Sequence, residues 1–153
     1  MSNDKLTFSS LSVDDLDCVV ALDRWTSGTS RRGFIENRLA AQERHPDAFV
    51  SIGVSQDEEL AGFTFCHIIE GEFGGAEPVA VLDAIGVVPD RQSGGIGYAM
   101  MGELDRRVRE RGCRELRTQA RWNQRGLLDF FSRTGFSLAP RLVLECSTDR
   151  ELE

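Results

Sequence analysis

A buried strand followed by a glycine-rich turn and a helix limits the possible folds more than any other feature of the sequence. Val79–Val88 is apolar on both faces except at Asp83, a pattern typical of a central strand. Three glycines follow within residues 89–97. Apolar residues then recur every four positions and predict a helix to about Arg111. This succession predicts a sheet with helices packed against it.

Strand and helix patterns alternate along the rest of the chain. Its 153 residues suffice for one ordinary domain, so we expect residues 1–153 to form a single domain. The expected class is α/β or α+β, with a sheet of about six or seven strands. The predicted strands are 5–10, 49–54, 60–69, 79–88, 114–120 and 141–147, and the predicted helices are 13–24, 30–44, 96–111 and 123–134.

Charge and cysteine content exclude several classes of function. Eighteen Lys and Arg residues against 25 Asp and Glu residues give a net charge of −7. This balance argues against a nucleic-acid or anionic-membrane partner, because phosphates require a basic surface. The four cysteines have no CxxC spacing and no neighbouring His cluster, so we expect no metal site and reduced, buried thiols in the cytoplasm. No apolar signal core or run of about 18 apolar residues occurs in the sequence.

The glycine-rich turn is suited to holding an anion. Glycine permits positive φ, which can aim successive N–H groups at one point, and a helix start adds unpaired donors and positive dipole charge. The sequence has neither the P-loop pattern G-x-x-x-x-G-K-S/T nor the dinucleotide pattern G-x-G-x-x-G. A plain tight turn between a strand and a helix is the structural alternative.

Two motifs in the sequence resemble those of the GNAT superfamily of acyl-CoA-dependent N-acetyltransferases. The spacing Gln92-x-x-Gly95-x-Gly97 is similar to the superfamily motif Q/R-x-x-G-x-G/A, and Val87-x-Pro89 precedes it as that motif usually begins. Asn123, the run 127–131 and Gly135-Phe136 resemble the superfamily's penultimate helix. The resemblance spans roughly residues 5–147.

The resemblance implies a mixed, mostly antiparallel sheet with about four helices and central strands that splay apart to admit the pantetheine arm of acetyl-CoA, the expected co-substrate. The Ile85 N–H would donate to the acetyl carbonyl oxygen, and the main chain of Val87 and Val88 would pair with the pantetheine amides. Asn123 would lie near the pantetheine or sulfur, with Phe131 on the same cofactor side. The backbone N–H groups expected to hold the pyrophosphate are those of Gln92, Ser93, Gly94, Gly95, Ile96, Gly97 and Tyr98.

Acetyl transfer to an amine also needs a group that removes a proton. Alternation along the strand predicts that Asp83 and Ile85 share a face, which makes Asp83 the first candidate for the base. A structural ion pair with Arg117 or Arg121 is the alternative. Glu72, in the loop before this strand, is the second candidate, and its alternative is a solvated surface carboxylate.

Other polar residues give weaker indications. Arg31 and Arg32 lie in the region that resembles the superfamily's acceptor site, although paired arginines at a helix start are commonly surface charge. His45 and His67 have no partners evident in the sequence. Phe131 departs from the superfamily pattern, which often has a tyrosine there to protonate the leaving thiolate.

We therefore expect an N-acetyltransferase that moves an acetyl group from acetyl-CoA to a small-molecule or peptide amine by direct attack, without a metal. The first alternative is a CoA-binding protein of the same fold with little catalytic activity. A module binding ATP or NAD is a weaker alternative, since its motifs are missing. Whether the protein forms a homodimer stays open.

Overall fold

The structure, a computed structural model, describes residues 5–71, 74–89 and 95–149. Four of the expected site residues, Glu72, Gln92, Ser93 and Gly94, lie outside these ranges. The chain groups into two compact units, Met1–Gln119 and Ala120–Glu153, which are described separately.

The first unit contains a five-stranded sheet in the order β1-β2-β3-β4-β5. The first three strand pairs are antiparallel, and β4 and β5 are parallel. The strands are β1 (Leu6–Ser9), β2 (Phe49–Gln56), β3 (Glu59–Ile69), β4 (Val79–Val87) and β5 (Leu116–Thr118), and the helices are α1 (Leu16–Ser27), α2 (Arg32–Arg44) and α3 (Ile96–Glu110). The mixed, mostly antiparallel sheet predicted from the sequence is confirmed.

Local signals in the sequence explain where these helices begin and end. The Ser12 N–H donates to Asp15 Oδ2 at 2.9 Å and starts the short 3₁₀ turn that leads into α1. α1 ends at Gly28, whose φ of +77° is in the left-handed region that glycine adopts readily. α2 ends before His45-Pro46, where proline cannot continue the helix.

β3 is buried on both sides because helices pack against both faces of the sheet. Phe63 and Phe65 of β3 belong to an apolar core with Val19 of α1 and Leu39 of α2. On the other side, a Cβ placed on Gly62 of β3 would lie 3.4 Å from the sulfur of Met100 in α3. The sheet is therefore the middle layer of three.

An irregularity in the pairing of β3 with β4 changes the direction of the backbone N–H groups in the rest of β4. Phe65 pairs with Ala84 and Cys66 pairs with Leu82, so Asp83 is an extra residue without a partner in the register. This is a β-bulge, which changes the edge to which later N–H groups point.

The second unit contains α4 (Arg125–Arg133), followed by Thr134 and by Gly135 with φ +102°. The Phe136 N–H returns to the Phe131 carbonyl at 2.9 Å and closes the helix. The side chains of Leu138, Leu142 and Leu144 are largely exposed.

The prediction of a final strand over 141–147 is wrong in this structure, and the described residues form five strands rather than six or seven. An apolar run becomes a strand only when its N–H and C=O groups pair with a neighbouring strand, and residues 141–147 have no such pairing among the described residues. No helix in the described part of the chain is long and apolar enough to span a bilayer.

Candidate active site

β4 and β5 pair over a short stretch and then part. The register joins Ala80–Leu82 to Leu116–Thr118, and the Thr118 hydroxyl donates to the Leu82 carbonyl at 3.0 Å. β4 continues to Val87, so its last five residues have no partner in β5. Among the described strands, none pairs with this edge of β4 beyond Leu82, so the sheet has an opening there.

Hydrogen bonds at the two ends of β4 show which N–H groups face this opening. The Ala80 N–H donates to Glu115 next to β5 at 3.0 Å, whereas the Val88 N–H donates to Ala61 of β3 at 2.8 Å. Alternate N–H groups of a strand point to opposite edges, and the bulge at Asp83 shifts that alternation by one residue. The N–H of Ile85 consequently points away from β3, towards the opening.

Val87 lies on the same edge of β4 as Ile85 by this alternation. Val88 differs, because its N–H is already bonded to the Ala61 carbonyl. That hydrogen bond removes the Val88 N–H from the contact with pantetheine expected from the sequence.

The start of α3 provides a second element of the site. Gly95 precedes the helix with φ +81°, and a Cβ placed on it would meet none of the described residues within 4 Å. Ile96 and Gly97 are buried, whereas Tyr98 is half exposed. A helix start leaves N–H donors without intrahelical partners and carries positive dipole charge, which suits an anion.

Asp83 is the centre of a polar cluster on the side of the sheet covered by α1 and α2. Arg38 of α2 donates from Nη1 to Asp83 Oδ2, and Nδ1 of His67 lies 2.6 Å from the same oxygen. The Arg38 guanidinium also stacks over the rings of Phe34 and Phe49, at 5.0 and 5.1 Å from their centroids. The cluster is mostly buried, with 18% of the Asp83 side chain exposed.

The prediction that Asp83 and Ile85 share a face is wrong because of the bulge. Asp83 and Ala84 both lie on the α1/α2 side, where Ala84 joins the core and Asp83 contacts Arg38. A Cβ on Gly86 would lie 3.1 Å from Thr26 Oγ1 of α1, so Gly86 also faces these helices. Ile85, between Ala84 and Gly86, therefore directs its side chain to the opposite face.

The charge of Asp83 also affects a cysteine in β3. Burial, and to a smaller extent the neighbouring Asp83 carboxylate, raise the pKa of the Cys66 thiol from 9.0 to about 12. Cys66 is therefore a protonated core residue rather than a nucleophile.

The connection between α1 and α2 is held by an ion pair. Asp23 of α1 is fully buried and accepts hydrogen bonds from Nε and Nη2 of Arg31, the latter at 2.5 Å. Arg32 pairs with Asp17 at 3.0 Å on the exposed surface. Both arginines thus have carboxylate partners, in line with a structural role for Arg31 and the surface alternative for Arg32.

Two expected site residues belong to the second unit. Asn123 is exposed in the turn before α4. Phe131 is buried, and its ring centroid lies 5.0 Å from that of Phe136 and 5.7 Å from that of Phe130.

A cleft of about 620 Å³ lies at another place in the first unit, between the ends of α2 and α3. Its lining includes Leu39, Gln42 and Arg111, and none of the expected site residues. Among residues 5–71, 74–89 and 95–149, no three His, Cys, Asp or Glu side chains form a group that could hold a metal ion.

Comparisons with known proteins identify the class that this opening and helix start define. The sequence matches the Acetyltransferase (GNAT) family over residues 13–136, and the chain belongs to this family. It is an acyltransferase that uses acetyl-CoA. A sequence comparison with curated proteins found no match.

Solved structures share the fold at low sequence identity. Aminoglycoside N-acetyltransferase AAC(6')-Iy in complex with CoA is 18% identical, with a TM-score of 0.77, over 94% of this chain and 95% of that one. Ribosomal-protein-alanine N-acetyltransferase from Brucella melitensis biovar Abortus 2308 is 19% identical, with a TM-score of 0.76, over 94% and 99%. A transcriptional regulator from Bacillus halodurans C-125 is 17% identical, with a TM-score of 0.77, over 94% and 99%.

Sequence reasoning missed the partners of Asp83. Arg38 and His67 are 45 and 16 residues away from it in the chain. Of the two arginines considered as its partner, Arg117 and Arg121, the first donates to Glu115. The signal for His67 was its position near the end of β3, which antiparallel pairing places near the beginning of β4, where Asp83 lies.

Proposed function

We propose that this protein transfers an acetyl group from acetyl-CoA to a primary amine by direct attack of the amine on the thioester. The observation that carries the proposal is the opening along β4, into which the Ile85 N–H points. A donor fixed in a sheet is already aligned with the carbonyl oxygen on which negative charge develops, and such a donor contributes about 10²–10³ to the rate.

The rest of acetyl-CoA would lie along the same edge. As the family resemblance implies, the main chain of Val87 would pair with the pantetheine arm as a neighbouring strand would. The start of α3, from Gly95 through Ile96 and Gly97 to Tyr98, would hold the pyrophosphate. Gln92, Ser93 and Gly94 precede this helix in the sequence and complete the proposed phosphate loop, and Asn123 and Phe131 remain proposed on the cofactor side.

The amine has to lose its proton before it attacks. Neutralising an amine of pKa about 10.4 at pH 7 costs about 4.6 kcal/mol, which a nearby base can partly offset. Asp83 and its partners face α1 and α2, so we propose that the acceptor amine binds on that side. Glu72 stays the second candidate for proton removal.

The acceptor class follows from what lines this side. The Phe34 ring of α2 lies 5.0 Å from the Arg38 guanidinium and Phe34 is 37% exposed, so it presents aromatic surface to a ligand next to this cluster. Arg38 neutralises the charge of Asp83, so this carboxylate offers no net attraction to a polycation. We propose a small-molecule or peptide acceptor with one reacting amine and an apolar or aromatic group, handled by a single domain in the cytoplasm.

Three amines test this proposal: sisomicin as an aminoglycoside, a peptide beginning with alanine, and 2-phenylethylamine. Release of CoA and the mass of the acetylated product are measured with acetyl-CoA present and absent. We expect an acetylated amine product that requires both acetyl-CoA and the protein, with 2-phenylethylamine or the peptide preferred to sisomicin. Acetyl-CoA that raises the melting temperature without any acetylated product would favour the CoA-binding alternative.

A further inference from the structure

We infer that His67 is the group that accepts the proton from the acceptor amine, and that Asp83 is the carboxylate that orients it. This inference rests on the proposed function, because it assigns the proton acceptor of that same site. It gives His67 a role that its sequence context did not indicate.

The hydrogen bonds around Asp83 determine which nitrogen of His67 carries a proton. Arg38 is a permanent cation that can only donate, and it keeps an ionised carboxylate as its partner. An ionised carboxylate can only accept, so Nδ1 of His67, 2.6 Å from Asp83 Oδ2, must be the donor. In the neutral imidazole the lone pair is then on Nε2, which is the nitrogen able to accept a proton.

The charges around the imidazole suit this role. Asp83 of β4 contacts both His67 and Arg38 of α2 in the described structure, and the charges of Asp83 and Arg38 cancel. β2 contributes Phe49, which pairs with His67 across the sheet and is not titratable. A neutral imidazole can accept a proton, and 30% of the His67 side chain is exposed, so water can remove that proton afterwards.

The protons balance without a dedicated acid. The ammonium group of the acceptor gives one proton to Nε2 of His67, directly or through one water. The freed electron pair on nitrogen forms the C–N bond, and the C–S bond breaks with its electron pair left on sulfur. The second proton that nitrogen loses goes to this sulfur, and His67 returns its own proton to water.

The variant His67→Asn distinguishes a catalytic base at this position from a side chain with only a structural role. Asparagine can place an NH₂ donor near the Nδ1 position and so keep the hydrogen bond to Asp83, but it cannot accept a proton at neutral pH. His45, the other histidine in the sequence, gives the matched control His45→Asn. Turnover of acetyl-CoA and 2-phenylethylamine is measured against pH in all three proteins, and the affinity for acetyl-CoA is measured by calorimetry.

We expect His67→Asn to lower kcat by about 10²–10⁴, the usual contribution of a general base. The acidic limb of the pH–rate profile should disappear, and the affinity for acetyl-CoA should change by less than about threefold, while His45→Asn leaves all three unchanged. A His67→Asn protein that keeps its acidic limb and more than a third of its kcat would overturn the inference and leave the proposed function standing.

A second measurement does not depend on turnover. The ¹⁵N chemical shifts of the two imidazole nitrogens of His67 report which one carries hydrogen in the neutral ring, and the signals are assigned by their loss in His67→Asn. We expect hydrogen on Nδ1 and a lone pair on Nε2. Hydrogen on Nε2 would overturn the inference whatever the activity, whereas absence of turnover in the unmodified protein would overturn the proposed function and the inference together.

Discussion

Asp83 lies opposite Phe65 as an extra residue in β4, so that Phe65 pairs with Ala84 while the next residue of β3 pairs with Leu82. This one-residue insertion has two consequences. It brings Ala84 onto the same face as Asp83, and it turns the N–H of Ile85, two residues after Asp83, towards the edge that β5 has left. The bulge therefore separates the face of Asp83 from that of the Ile85 side chain and directs the proposed oxyanion donor.

The phosphate site at the start of α3 can be tested with two substitutions at Gly95. Asp and Asn both tolerate the positive φ of this position and differ mainly in charge. We expect acetyl-CoA to bind Gly95→Asp at least about tenfold more weakly than Gly95→Asn, a difference of about 1.4 kcal/mol by calorimetry. Gly102→Asp, in the same helix with open space around it, should leave the affinity unchanged. Equal affinities for the two Gly95 variants would contradict the phosphate assignment.

The ion pair between Arg31 and Asp23 should contribute to the stability of the fold rather than to substrate binding. Because Asp23 is fully buried, removing its partner in Arg31→Met should lower the free energy of unfolding by about 3 kcal/mol. Arg32→Met breaks an exposed pair and should cost at most about 1 kcal/mol. Urea unfolding measures both. A higher KM for the amine in Arg31→Met at unchanged stability would instead indicate that Arg31 binds the acceptor.

The cysteines should differ sharply in reactivity. Cys18 and Cys146 are exposed, whereas Cys66 and Cys113 are buried. Burial also raises the pKa of the Cys113 thiol. At pH 8 the Cys66 pKa of about 12 leaves about 10³-fold less thiolate than a pKa of 9.0 would. A thiol reagent should therefore label Cys18 and Cys146 in the native protein and all four after denaturation. Rapid native labelling of Cys66 would show that it is not buried as described.

We expect turnover not to need an acidic side chain at position 131, where the protein has Phe131. A free thiol has a pKa near 8.5, so releasing a thiolate at pH 7 costs only about 2 kcal/mol. Phe131→Tyr should change kcat by less than about tenfold, even though the hydroxyl is introduced beside Phe136. The kcat values of Phe131→Tyr and of the unmodified protein with acetyl-CoA and 2-phenylethylamine test this prediction. A gain of about a hundredfold or more would show that the unmodified protein lacks a needed acid.

Much of the fold could be predicted because hydrophobic periodicity and the signals that begin or end helices and strands are local in sequence. The two-sided apolar runs of β3 and β4, the apolar stripe of α3 and the Ser12 capping signal all lie within short stretches of sequence. The glycine spacing before α3 and the family resemblance likewise needed only neighbouring residues, and the family is confirmed by the match over residues 13–136.

The predictions that were wrong, and the contacts that were missed, depend on pairing or packing between segments distant in sequence. Strict alternation put Asp83 and Ile85 on one face, but a bulge is a property of two strands and has no signal in one of them. The contact of Asp83 with Arg38 depends on the packing of α2 on the sheet, and its contact with His67 depends on the pairing of β3 with β4. Residues 141–147 show the same limit, since an apolar run does not specify a partner strand.

The most direct test of the account is to replace the Ile85 N–H by an ester oxygen, using the matching α-hydroxy acid, and to measure kcat with acetyl-CoA and 2-phenylethylamine. This change removes one donor at the opening and little else. The same replacement at Gly86, whose N–H points to β3, is the control, and should lower the free energy of unfolding by about 1 kcal/mol while the folded protein keeps its kcat. We predict that the ester at Ile85 lowers kcat by about 10²–10³ with the fold intact. A kcat within about threefold of the unmodified protein would contradict the account.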